Sequence, residues 1–155
     1  MEYALDASAI LTGRQFAGEL VSTPRITGEV RRKGLTSAEE SFLERVRVFA
    51  PSPEAAVRVA AVARSTGDDA RLSPADAELL ALALERGCVL VTDDYSIQNV
   101  ATVLGVRYEP VLELGIREVR RWHRRCTGCG RYFDEPVAEC PVCGSAVKTT
   151  RRPPP

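Results

Sequence analysis

Nine side chains in this sequence have the type and spacing to do chemistry: four thiols near its end and five carboxylates before them. Cys126-Thr-Gly-Cys129-Gly and Cys140-Pro-Val-Cys143-Gly stand ten residues apart, and two Cys-x-x-Cys knuckles so spaced supply the four thiolates of one tetrahedral zinc site. Gly130 and Gly144 follow the second cysteine of each knuckle, where the chain turns around the metal with a positive φ. Such a site is closed, so it organises a small domain and leaves the reaction to residues upstream. An iron-bearing electron carrier would also use four thiolates, and a colourless protein with stoichiometric zinc excludes it.

The carboxylates stand where apolar segments end. Asp6 closes the strand-like Tyr3-Ala-Leu5, and Asp93-Asp94 close Cys88-Val-Leu-Val91. Glu29 is expected in the first turn of a helix over 27–33, and Asp76 in the first turn of a helix opened by Ser73-Pro74. Each has a local use: Asp76 completes a capping box, Asp94 caps a following helix, and Glu29 favours a helix dipole. Gathered at one edge, however, like charges repel unless a divalent cation neutralises them, and oxygen donors with retained waters suit magnesium or manganese.

The elements that must position these groups alternate. Strands are expected at 3–5, 88–91 and 106–108, and helices at 27–33, 37–48, 53–65, 73–86 and 95–104. Short apolar strands between amphipathic helices predict an α/β fold, a mainly parallel sheet with helices on both faces. Ligands of such sheets sit beyond the carboxyl ends of the strands. Cys88 reads as a small core hydrophobe, and Gly67-Asp68-Asp69 as a polar loop.

Net charge is zero overall but unevenly placed. Residues 1–114 hold 12 Lys+Arg against 17 Asp+Glu, and residues 115–155 hold 9 against 4. An acidic body with a basic tail suits a cation in the one and a polyanion on the other. Arg120, Arg121, Trp122, Arg124, Arg125 and Arg131 combine cations with rings in the way single-stranded RNA is bound; a solvated face, with Trp122 packing the ribbon onto the body, is the alternative. The expected division is a domain over 1–115, a zinc ribbon with a basic flanking strand over 116–149, and a disordered tail over 150–155. The second unit is too small to fold on apolar burial alone. With no apolar run long enough for a signal peptide or a membrane span, and with metal-type cysteines, the expected home is the cytoplasm.

Leu5-Asp6-Ala-Ser8-Ala, Thr27-Gly-Glu29-Val, Leu72-Ser73-Pro-Ala-Asp76 and Val91-Thr92-Asp93-Asp94 occur in the order and spacing of the PIN-domain nucleases, which this chain resembles. Val91-Thr-Asp-Asp-Tyr-Ser-Ile-Gln-Asn-Val-Ala101 followed by a four-cysteine ribbon is similar more closely to the archaeal Nob-type endonucleases. The resemblance implies an α/β/α sandwich, magnesium or manganese held by acidic residues, and hydrolysis of precursor RNA at the 3′ end of small-subunit ribosomal RNA. Pre-ribosomal particles and ribosomal proteins would be the partners. It carries the acidic roles to Asp6, Glu29, Asp76 and, by the Thr-x-Asp spacing, Asp94, with Asp93 adjacent. A toxin-type ribonuclease would share the acidic pocket without the ribbon, and a non-catalytic RNA-binding adaptor would keep the ribbon without cleavage.

Overall fold

The computed structural model, which describes residues 1–112, 119 and 121–155, gathers five strands into one parallel sheet and three more into a small antiparallel one. The first sheet takes β1 (Glu2–Leu5), β2 (Glu19–Ser22), β3 (Arg47–Val48), β4 (Val89–Val91) and β5 (Tyr108–Glu109). Between them run α1 (Ala7–Thr12), α2 (Pro24–Arg32), α3 (Ser37–Leu43), α4 (Pro53–Thr66), α5 (Pro74–Arg86) and α6 (Tyr95–Leu104). The strand order is β3-β2-β1-β4-β5. Every pairing is parallel, so all five carboxyl ends share one edge. The chain winds outward from β1 to β3, then crosses back to β4, and the winding reverses between β1 and β4. A crevice forms at such a reversal.

Apolar burial holds this body together. Leu79, Leu80 and Leu82 of α5 and Leu90 of β4 are fully buried, and truncating any one to alanine costs about 2–5 kcal/mol. α5 buries almost a full circumference because it lies under α4, α6 and the sheet. Cys88 is in the core as expected, and burial together with the Glu2 carboxylate pushes its thiol up to about 11.

Three expectations need correction. The helix expected from Thr27 starts at Pro24, because the Thr23 side chain accepts from the Ile26 N–H and proline takes the first turn. The helix expected over 37–48 ends at Leu43, and Arg47–Val48 instead extends the sheet, with Val21 opposite Arg47 and Ser22 opposite Val48. Thr150, placed in the tail, is the last residue of a strand. The helices from Pro74 and Tyr95 begin where the capping residues Ser73 and Asp94 predict, and the helix from Pro53 is capped by Ser52.

The second sheet is the ribbon, ordered β7-β6-β8, with β6 (His123–Cys126), β7 (Tyr132–Phe133) and β8 (Val147–Thr150) all antiparallel. The expected domain boundary at 115/116 lies outside the described residues, as does Arg120.

Candidate active site and metal centres

Asp6 occupies the crevice. Its N–H donates to the Val91 carbonyl at 3.2 Å, so it continues β1 alongside the end of β4. Its Oδ1 then caps α1, accepting from the Ala9 N–H at 2.7 Å and the Ser8 hydroxyl at 2.8 Å. Only 8% of the residue is exposed. That burial raises the pKa of the carboxyl and the nearby Asp93 charge adds to the rise, against hydrogen bonds from Thr92, Ala9 and Ser8. A carboxylate buried beside another anion is one that a cation would relieve.

The two aspartates after β4 divide. Asp93 turns toward the exit of β5, where its carboxylate accepts from the Val111 N–H at 2.7 Å and the Leu112 N–H at 3.0 Å. Asp94 is exposed and caps α6 with Oδ1, which accepts from Ser96 and Ile97 at 2.7 and 3.2 Å. Thr92 links the groups: its hydroxyl oxygen accepts from the Asp94 N–H at 3.1 Å and its side chain bonds Asp6. Since Asp93 already ties down the chain beyond β5, a metal-dependent RNA cleavage at this edge, as the family resemblance implies, would lose roughly a hundredfold or more in Asp94→Asn and much less in Asp93→Asn. Parallel single-turnover assays check the order, and a larger loss from Asp93→Asn would assign the ligand to that residue.

Asp76 is the third residue of α5 and closes a capping box with Ser73, accepting from its N–H at 2.9 Å. Because α5 feeds the start of β4, its own start lies at the edge where β4 ends. α2 begins beside it: the Arg25 N–H donates to Glu78 at 3.2 Å. Glu29 is not in the first turn of its helix, as a start at Thr27 required, but in the second turn of α2. There it lines a groove of about 370 Å³ with Arg25, Arg32, Pro74 and Ala75. The fold thus puts Asp6, Asp93, Asp94 and Asp76 at one edge, with Glu29 a turn further along α2. Among the described residues, though, they do not form a group as tight as the cysteines. Asp6 and Asp93 are the pair brought into mutual electrostatic reach.

The four cysteines present Sγ atoms within 4.8 Å of one another. Cys126 lies 3.4 Å from Cys143, and Cys129 lies 3.6 Å from Cys140. Sulfurs at tetrahedral corners around zinc stand about 3.8 Å apart. The Gly128 and Cys129 N–H groups point at the Cys126 sulfur at 3.3 and 3.4 Å, and Gly130 and Gly144 have φ of 76° and 75°. The donor set therefore fits a closed zinc site.

Of the basic residues, Arg121, Arg125 and Arg131 are exposed. Arg124, expected on the RNA face, is corrected: it is 8% exposed and bound to Asp69 through both carboxylate oxygens at 2.6 Å. Strand alternation turns it inward between two outward neighbours. Trp122 is half-buried, with the Arg71 guanidinium stacked 3.6 Å from its ring centre. Asp69 and Arg71, missed from sequence, lie in a loop whose charges gave no pattern.

Comparison with known proteins agrees with this fold. A family model described as the PIN domain of ribonuclease matches residues 4–85. The protein named Endoribonuclease Nob1 from Pyrococcus abyssi is 39% identical over 98% of this chain and 95% of its own. One named Ribonuclease VapC1 from Thermoplasma acidophilum is 37% identical over 96% of this chain and 77% of its own. Among solved structures, a PilT N-terminus domain protein from Sulfolobus solfataricus aligns with a TM-score of 0.51 at 22% identity, covering 76% of this chain and 99% of its own.

Proposed function

The chain belongs to the PIN-domain ribonucleases, among the Nob1-type endoribonucleases, and from that membership we propose that it cuts precursor RNA at the 3′ end of small-subunit ribosomal RNA. The observation that best supports the site is Asp6, buried at the reversal between β1 and β4 with its pKa raised by desolvation and by Asp93. Magnesium or manganese, when bound there, supplies Lewis-acid activation of water and of the scissile phosphate. In this reading Asp6 and Asp94 would be the central ligands, and Asp76 and Glu29 would hold the metal or its waters. Ser8 and Thr92 aim the Asp6 carboxylate. No side chain need act as nucleophile, and His123 belongs to the ribbon strand β6.

Zinc in the ribbon serves structure, and the ribbon's arginines serve RNA. Arg121, Arg125 and Arg131 would pair phosphates. With pre-ribosomal RNA as substrate, the protein would work in the cytoplasm on a pre-ribosomal particle, with ribosomal proteins as further partners. Among the described residues no helix is long and apolar enough to cross a membrane.

Incubation with a small-subunit 3′-end precursor and manganese tests the reading. A single cut at the mature end is expected, and no cleavage of any RNA would overturn it. Growth arrest on expression, with cleavage of other cellular RNA, would favour a toxin-type ribonuclease instead. Charge reversal at Arg121, Arg125 and Arg131 should flatten the slope of log affinity against log salt by roughly 0.7 for each single-strand phosphate left unpaired. An unchanged slope would take these arginines off the RNA.

A further inference from the structure

The Gly67-Asp68-Asp69 loop is where the ribbon meets the nuclease body. The Trp122 N–H donates to the Thr66 carbonyl at 2.6 Å. A Cβ on Gly67, whose φ is 79°, would overlap the Trp122 carbonyl, so the ribbon backbone rests directly on that glycine. Two residues on, the Arg124 and Asp69 side chains pair while only 9% and 22% exposed. Arg71 stacks on Trp122 and donates to the Thr149 hydroxyl at 3.1 Å.

Asp68 faces the other way, into the body, and is fully buried. Its Oδ2 accepts from the Thr66 hydroxyl and from Asn99 Nδ2, both at 2.6 Å. Asn99 belongs to α6. Its neighbour Gln98 donates from Nε2 to the Thr92 carbonyl at 2.8 Å, at the strand end that presents Asp93 and Asp94. Both amides are buried, at 0% and 1% exposure. Burying two amides is costly unless they are hydrogen-bonded, and both are. Here one holds the strand end of the metal edge and the other holds the seat of the ribbon.

We propose that Gln98 and Asn99 are positioning residues that lock the ribbon to the nuclease edge, so that RNA gripped by the ribbon meets the carboxylates at a fixed distance. The consequence for cleavage rests on the nuclease function proposed above; the lock does not. Asn99 braces Asp68, the bracing orders Asp69, and Asp69 clasps Arg124. Gln98 ties the same helix to Thr92.

Backbone amide nitrogen relaxation on the zinc-loaded full chain reads whether ribbon and body tumble together. The wild type is expected to show one correlation time. Asp69→Ala, Gly67→Ala and Asn99→Ala should each give ribbon amides a shorter correlation time than the body, and pairing Asp69→Arg with Arg124→Asp should restore the single one. Asp68→Asn, which keeps an acceptor for both partners, should leave it single. Should Asn99→Ala not fold, Asn99→Ser is read in its place, being too short to reach Asp68. Gln98→Ala should keep joint tumbling and RNA affinity yet slow single-turnover cleavage roughly tenfold, the equivalent of one buried hydrogen bond. Separate tumbling in the wild type, or joint tumbling in both the Asp69 and Asn99 variants, overturns the lock. Wild-type cleavage by Gln98→Ala overturns its coupling to the metal edge. If the relaxation results stand and the wild type cleaves no RNA, the nuclease function fails and the lock survives.

Discussion

Asp6→Asn is expected to abolish RNA cleavage while making the protein more stable. A ligand to a catalytic cation contributes several kcal/mol to the transition state, so the loss should be roughly a hundredfold or more in single-turnover rate. The gain in stability follows from the raised pKa of Asp6, which desolvation causes and Asp93 reinforces. A carboxyl whose folded-state pKa lies above its unfolded value stabilises the fold below the unfolded value, about 3.9, and loses that contribution as pH rises through the folded value. At neutral pH the wild type therefore holds an ionised Asp6 at a cost, and asparagine, which keeps the Oδ1 acceptor for Ala9 and Ser8, removes it. Thermal melts should show the variant melting higher at neutral pH, with the gap closing toward acid. Manganese should raise the wild-type melting temperature and leave the variant unmoved, because only a ligand of the native state shifts the equilibrium. A variant that cleaves normally, or one that melts lower at neutral pH, would remove Asp6 from the centre of the site.

Removing the ribbon metal should unfold the ribbon and spare the body. Metal analysis is expected to find one zinc per chain. Structural zinc contributes about 10–16 kcal/mol of apparent binding free energy to small modules, more than a three-stranded ribbon gains from burial. Cys126→Ser, Cys140→Ser or chelation should therefore erase amide-exchange protection through the ribbon. The body has its own core in Leu79, Leu80, Leu82 and Leu90. Its protection should persist in β1 and β4, with local weakening confined to the seat at 66–71, where Asp69 is deprived of Arg124. RNA affinity should fall further than the chemical step, since in the function proposed above the ribbon pairs the phosphates and the body holds the carboxylates. Disappearance of protection throughout β1 and β4 would show that the two units fold as one.

Much of this site was legible in the sequence because its signals are local. Knuckle spacing alone specifies the thiolate set. Ser73 and Asp94 mark helix starts because each satisfies N–H groups within the next three residues, and Asp6 and Asp93-Asp94 stand just past short apolar runs that read as strands. The parallel sheet then follows from the alternation of strands with helices, and the shared edge of the carboxylates follows from the sheet.

Tertiary structure decided the rest, at points where one local pattern had two uses. β3 is too short for a period to emerge, and Arg47–Val48 became a strand by pairing with Val21 and Ser22. Glu29 moved to the second turn of its helix once Thr23 capped it. Asp93 and Asp94 are chemically alike in sequence; the exit of β5 claims one through the Val111 and Leu112 amides and leaves the other at the mouth of α6. Arg124 looks like its neighbours in a basic run, yet strand pairing turns it toward Asp69, 55 positions earlier in the chain. Distant charges and buried amides such as these are paired by the fold alone, since no spacing along the chain encodes which partner lies across the interface.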